Sequence, residues 1–141
     1  MEVSGGTLDK IRAALAGQPR PECLKLTPFE IVEVDAEAGF VKVQFAPQPA
    51  FANTFGDIQG GFAAAMLDVP MSLAAFVKVG DWAPTVELKC SFLRPARIGV
   101  CVGEGRVLRA GRSIVFVEGR LWGADGELAV HATATAAGPT R

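Results

Sequence analysis

Histidine is nearly absent from this chain of 141 residues, His131 being the only one. It falls in Ala129-Val-His-Ala-Thr-Ala, which reads as a strand of small residues, where a histidine is packing or surface. Neither a Cys-His pair nor a Ser-His-Asp apparatus can be assembled from it. No histidine and carboxylate cluster has metal-ligand spacing, so no metal is expected. The three cysteines, Cys23, Cys90 and Cys101, are odd in number, widely spaced and without a CxxC pair. They fit reduced packing thiols of a cytoplasmic protein rather than a disulfide framework or a zinc site. Charge of one sign is lacking too, with 14 basic against 15 acidic residues and a net charge of -1. That excludes a broad basic field for nucleic acid or an anionic membrane, and a small acidic ligand would need a local site. The segment Met1-Glu-Val-Ser-Gly-Gly has neither the basic nor the apolar region of a secretory leader. Gly60 to Val79, the longest apolar stretch, contains Asp68, Pro70 and Lys78, and reads as a core helix rather than a membrane span. Gly103-x-Gly105 lies within strands, which excludes a dinucleotide fingerprint.

What is present is one globular domain. Half of the residues are hydrophobic and 21% are charged, a balance that can bury a core over this length. Thr7 to Ala16 spaces its apolar residues as a short helix, and Gln18-Pro-Arg-Pro21 reads as an extended linker. Strands are expected over Glu30 to Asp35 and Phe40 to Phe45, joined by a turn at Ala36 to Gly39. After the long helix, strands are expected over Thr85 to Arg94, Ile98 to Leu108, Ser113 to Trp122 and Glu127 to Ala136. Short turns between them predict a four-stranded meander. The expected class is therefore α+β, with one curved antiparallel sheet wrapped around one long helix. Ala137 to Arg141 reads as a loose tail.

In Phe62 to Val77 apolar residues cover every helical face, so the helix is expected to be buried nearly all round. An unpaired carboxylate in such a helix is costly, which makes Asp68 the leading candidate for chemistry. The alternatives are a partner arginine or a capping role across an interface. Pro70 is expected to bend the helix around the sheet. Gly60-Gly61 opens it, and free N-H groups at a helix N-terminus, unobstructed by side chains, can polarise a carbonyl. Eight residues of helix separate Gly60 from Asp68, about 12 Å at about 1.5 Å per residue. One carbonyl cannot touch both within one chain. Joint action implies two antiparallel copies of the helix about a twofold axis, and so a homodimer.

In order along the chain stand Asn53-x-x-Gly56-x-x-Gln59-Gly60-Gly61, Asp68, Thr85-Val-Glu-Leu-Lys-Cys-Ser-Phe-Leu-Arg-Pro-Ala96, Gly111-Arg112 and Asp125-Gly126. By these motifs the chain resembles, over about residues 20 to 136, the hotdog-fold acyl-CoA thioesterases of the phenylacetate-degradation and 4-hydroxybenzoyl-CoA thioesterase group. The resemblance implies a hotdog fold and hydrolysis of an acyl-CoA, aromatic or medium-chain, with coenzyme A as part of the substrate and no other cofactor. It implies Asp68 as nucleophile or general base and the Gly60 N-H as the polarising donor. Asn53 and Gln59 would orient the acyl group or water, Thr85 would hold the attacking water, and Ser72, one turn after Asp68, would do similar work. Gly61, Phe55, Arg94, Arg112 and Ser113 are the expected substrate contacts, with arginines at strand ends for the phosphates. Dimers of such proteins often pair into tetramers. The family more often has His-Gly-Gly where this chain has Gln59-Gly60-Gly61, and glutamine can donate a hydrogen bond but cannot titrate near neutral pH. The base role then falls on Asp68 alone. The alternative is a hotdog protein that binds an acyl thioester without cleaving it.

Overall fold

The computed structural model describes residues 5–16 and 21–138; the expected linker around Gln18 to Arg20 and the end of the expected tail lie outside them. The described elements are α1 (Gly5–Ala16), α2 (Glu22–Leu26), β1 (Phe29–Asp35), β2 (Phe40–Phe45), a 3-10 turn (Pro49–Phe51), α3 (Gly60–Val79), β3 (Thr85–Phe92), β4 (Cys101–Ala110), β5 (Ile114–Trp122) and β6 (Leu128–Ala137). One antiparallel sheet has the order β1-β2-β4-β5-β6-β3, and α3 lies across one of its faces against β2, β3, β4, β5 and β6. This is the hotdog arrangement.

The period-two alternation that marks the strands also sets which face is buried. Val41, Val43 and Phe45 of β2, Cys101 and Val107 of β4, Val115, Val117 and Leu121 of β5, and Val130, Ala132, Ala134 and Ala136 of β6 all join the core. Glycines on the same face let α3 come close. A Cβ on Gly105 would stand 2.3 Å from the Pro70 carbonyl oxygen, and one on Gly103 would stand 3.3 Å from the Pro70 ring. Pro70, inside α3 and buried, thus marks where the helix settles into a glycine bed. The helix ends at Gly80, left-handed at φ 81°, whose N-H donates to the Phe76 carbonyl.

Two expectations are corrected. The last four strands are not a meander, because β3 does not pair with β4 but crosses to the sheet edge beside β6, with Thr85 opposite Ala136 and Phe92 opposite Val130. The Leu93–Val100 connection is a crossover rather than a tight turn, tied down by Ile58 N-H to the Ala96 carbonyl at 2.9 Å and Leu93 N-H to the Ala129 carbonyl at 2.8 Å. Nor is α3 enclosed on every side. Although it is long and apolar enough to cross a membrane by composition, the sheet covers one flank only. Gly61, Phe62 and Ala65 are exposed, and Asp68, Val69 and Ser72 are half-buried along one stripe. The helix α2 has no counterpart in the sequence reading; it begins directly after Pro21, whose fixed φ suits a helix entry.

Candidate active site

Asn53 shapes the loop that delivers the chain to α3. Its side-chain oxygen accepts from the N-H groups of Phe55 at 2.9 Å and Asp57 at 3.1 Å, an Asx turn completed by Gly56 at φ 82°. That oxygen is committed to the loop. Phe55 stands at the loop's tip, 87% exposed, and is not part of the wall of the cleft beside Asp68.

Gln59 is the N-cap of α3. Its backbone carbonyl accepts from the N-H of Phe62 at 2.9 Å and Ala63 at 3.0 Å, and its exposed side chain makes no capping bond. The N-H groups of Gly60 and Gly61 have no acceptor among the described residues, as the first turn of a helix leaves them. The two glycines differ in access. The Phe92 ring lies 3.3 Å from where a Cβ of Gly60 would be, whereas nothing lies within 4 Å of the corresponding point on Gly61.

Asp68 projects from the open stripe of α3 toward the start of β3. Thr85 Oγ1 donates to its Oδ1 at 3.1 Å. The carboxylate is therefore neither fully buried nor paired with an arginine; its partner is the hydroxyl. Ser72, one turn on, shares with Asp68 and Thr85 a cavity of about 10 Å³, backed by Val117, Ala134 and Ala136. That is about the room one water needs, and the three side chains supply polar partners. Cys90 on β3 registers the same charge: burial first, and the neighbouring Asp68 second, push its thiol above the ordinary range.

A cleft of about 420 Å³ opens beside Asp68. Aromatic and aliphatic side chains, Phe29, Phe51, Phe62 and Trp82 with Leu24 and Leu26 of α2, form most of its wall. Phe51 and Phe62 stack at 4.3 Å, and Trp82 rests on Phe76 at 4.3 Å. Nothing in the spacing of the sequence pointed to α2 or Trp82 as part of this wall, because both reach it only through tertiary placement.

The cationic candidates lie at opposite ends of β3. Arg94 follows its C-terminal end and is held by Glu127 at 3.3 Å. Arg112 and Ser113 form the β4–β5 turn near Thr85, across the ladder from Val115 to Ala136 to Thr85. Arg112 is exposed and has no ion pair among the described residues. The strand between the two ends is roughly 23 Å long at about 3.3 Å per residue. His131 lies on the sheet face away from α3, against Glu118 at 2.8 Å, and takes no part in the cleft.

A family model, described as the thioesterase superfamily, matches residues 55–130. A crystal structure of a phenylacetic acid degradation-related protein from Ralstonia eutropha is similar at 35% identity and a TM-score of 0.81, over 90% of this chain and 97% of that one. The E. coli PaaI protein, from the phenylacetic acid degradation operon, shares the fold at a TM-score of 0.82 with 15% identity, over 97% of this chain and 96% of its own. A Saccharolobus solfataricus protein, named only provisionally as an esterase, is 32% identical over 106 residues, 74% of this chain and 75% of the relative.

Proposed function

The chain belongs to the thioesterase superfamily, and we propose that it hydrolyses the thioester of an acyl-CoA with Asp68 as the driving carboxylate. The observation that carries this reading is the contact between Thr85 Oγ1 and Asp68 at the rim of an aromatic cleft. A carboxylate that already holds a hydroxyl, with Ser72 and space for one water beside it, is equipped to orient that water and take its proton. Hydroxide bonds to the carbonyl carbon, charge moves to the carbonyl oxygen, and an N-H at the start of α3 stabilises it. The tetrahedral intermediate then expels the coenzyme A thiolate, which recovers the proton. Every step uses side chains or backbone of this protein, and coenzyme A enters only as part of the substrate.

The unbroken helix from Gly60 to Asp68 keeps the two ends about 12 Å apart. The proposed centre therefore combines Asp68 and Thr85 of one subunit with Gly60 and Gly61 of another. β3 supports such pairing, since it is a sheet edge that exposes Val86 and Phe92 next to the open stripe of α3. In that dimer, Phe55 and Gln59 of one chain approach the cleft of its partner, and Arg112 with Ser113 is the phosphate contact nearest Asp68. The aromatic wall favours an aromatic or medium-chain acyl group. Three free thiols suit a reducing cytoplasm.

Thiol release from a panel of acyl-CoAs tests the reading, with wild-type protein and Asp68→Asn side by side. Cleavage by the wild type and its collapse in the variant are expected. Equal rates for the two would remove Asp68 from the mechanism, and binding without release would make this a thioester-binding protein.

A further inference from the structure

Just before α3 begins stands a buried acid that the proposed reaction does not use. The Asp57 side chain is 9% exposed, and its Oδ1 accepts from Arg97 Nη1 at 2.7 Å. A carboxylate so enclosed is costly to retain unless paired. Its partner sits in the Leu93–Val100 crossover, and the other flank of that guanidinium lies 4.0 Å from Asp125 in the β5–β6 turn. Backbone bonds run the same way. Ile58 N-H donates to the Ala96 carbonyl at 2.9 Å, and Ala124 N-H donates to the Arg97 carbonyl at 3.1 Å. Buried Gln48 accepts from Gly99 N-H at 3.0 Å, which fixes the far side of the crossover. A continuous line of polar contacts thus runs from the end of the sheet, through Arg97, to Asp57 and Ile58 in the segment that leads into α3.

Ile58 and Ala63 are buried and Phe62 stacks on Phe51 on either side, but at the two glycines themselves apolar packing is thin. Gly60 has the Phe92 ring as its neighbour, and Gly61 has open space. The glycines have no side chains of their own to set the direction of their N-H groups, which therefore follows from how the flanking residues are held. We propose that the Asp57–Arg97 pair is a positioning device for the reaction: it fixes the first turn of α3 and so the aim of the Gly60 and Gly61 N-H groups. This rests on the reading of that turn as the carbonyl-polarising end. A charge-assisted bond is directional where apolar packing is not, and polarising donors tolerate little misplacement.

The test uses full-length Asp57→Asn, Arg97→Gln and the double variant, with Arg97→Lys as the conservative replacement. Amide hydrogen exchange at Ile58, Gln59, Phe62 and Ala63 reports on the first turn without reference to activity. The single variants are expected to exchange about tenfold faster there, with the middle of α3 unchanged. On a cleaved acyl-CoA, kcat is expected to fall by about tenfold to a hundredfold with KM within about threefold. The double variant should be no slower than the worse single one, and Arg97→Lys should recover part of the loss. Unchanged exchange at the four amides overturns the inference, as does acceleration along the whole of α3, which would mean general destabilisation. Local acceleration with unchanged kcat overturns the link to the reaction. If the wild type cleaves no thioester, the proposed function fails by itself, and exchange alone then decides whether the pair holds the turn.

Discussion

Asp68 and Thr85 form the hydrogen-bonded pair on which the proposed chemistry rests, and each can be replaced without changing its shape much. Asp68→Asn should lower kcat by about 10² to 10⁴-fold, the range for losing a positioned base. Thr85→Val should cost roughly tenfold or more, read as kcat in the same assay, because it deletes a hydrogen bond to a charged acceptor. Cys90 offers a probe independent of substrate. Burial, and after it the negative charge of Asp68, raise its pKa, so removing that charge lowers it and increases the thiolate fraction at a given pH. Alkylation of Cys90 near pH 8 should therefore be faster in Asp68→Asn than in the wild type, and an equal rate would show that the two groups do not sense each other. Asp68 was legible in the sequence because a single carboxylate interrupts an apolar helix. Its hydroxyl partner was reachable only by resemblance, since nothing in the spacing ties Thr85 to a residue seventeen positions earlier. Asp57 gave no signal at all. An acid in a glycine-containing loop looks solvated until the crossover places Arg97 over it.

At the level of elements, the meeting of α3 with the sheet depends on glycine. Gly105→Ala would force a methyl group against the backbone of Pro70 and Met71, at 2.3 Å and 2.7 Å. Neither backbone atom can swing aside as a side chain tip could, so a loss of about 3 kcal/mol is expected in denaturant unfolding. The same substitution at Gly61, where nothing is near, should leave stability unchanged within about 0.5 kcal/mol. Strand positions were readable from period-two alternation, and the long helix from its extended, mostly apolar run. The place of β3 was not, because pairing with β6 rather than β4 depends on where a crossover loop leads, and local turn chemistry at Arg94-Pro95 fits a hairpin equally well. The open stripe of α3 was hidden for a similar reason. Ala65 and Phe62 are as apolar as the residues beneath the sheet, and composition cannot say which flank the sheet will cover.

For the whole molecule, the helix from Gly60 to Asp68 carries both halves of the proposed chemistry and holds them too far apart to serve one carbonyl. If two subunits share each centre, defects at opposite ends of α3 must complement. Gly60→Pro supplies one defect, because proline is accepted at the first position of a helix and Gln59 already has the extended ψ of 135° that a following proline requires. It deletes the N-H and keeps a helical backbone, with the Phe92 ring, 3.3 Å from the Cβ position, giving way by a few tenths of an ångström. Asp68→Asn supplies the other. The deciding measurement is thioesterase activity after the two inactive proteins are unfolded together and refolded as a mixture. Random pairing makes half of the dimers mixed, and each mixed dimer has one intact centre of two, so the shared-centre arrangement predicts recovery of about a quarter of wild-type activity. Activity no higher than that of the two parents refolded separately would contradict it.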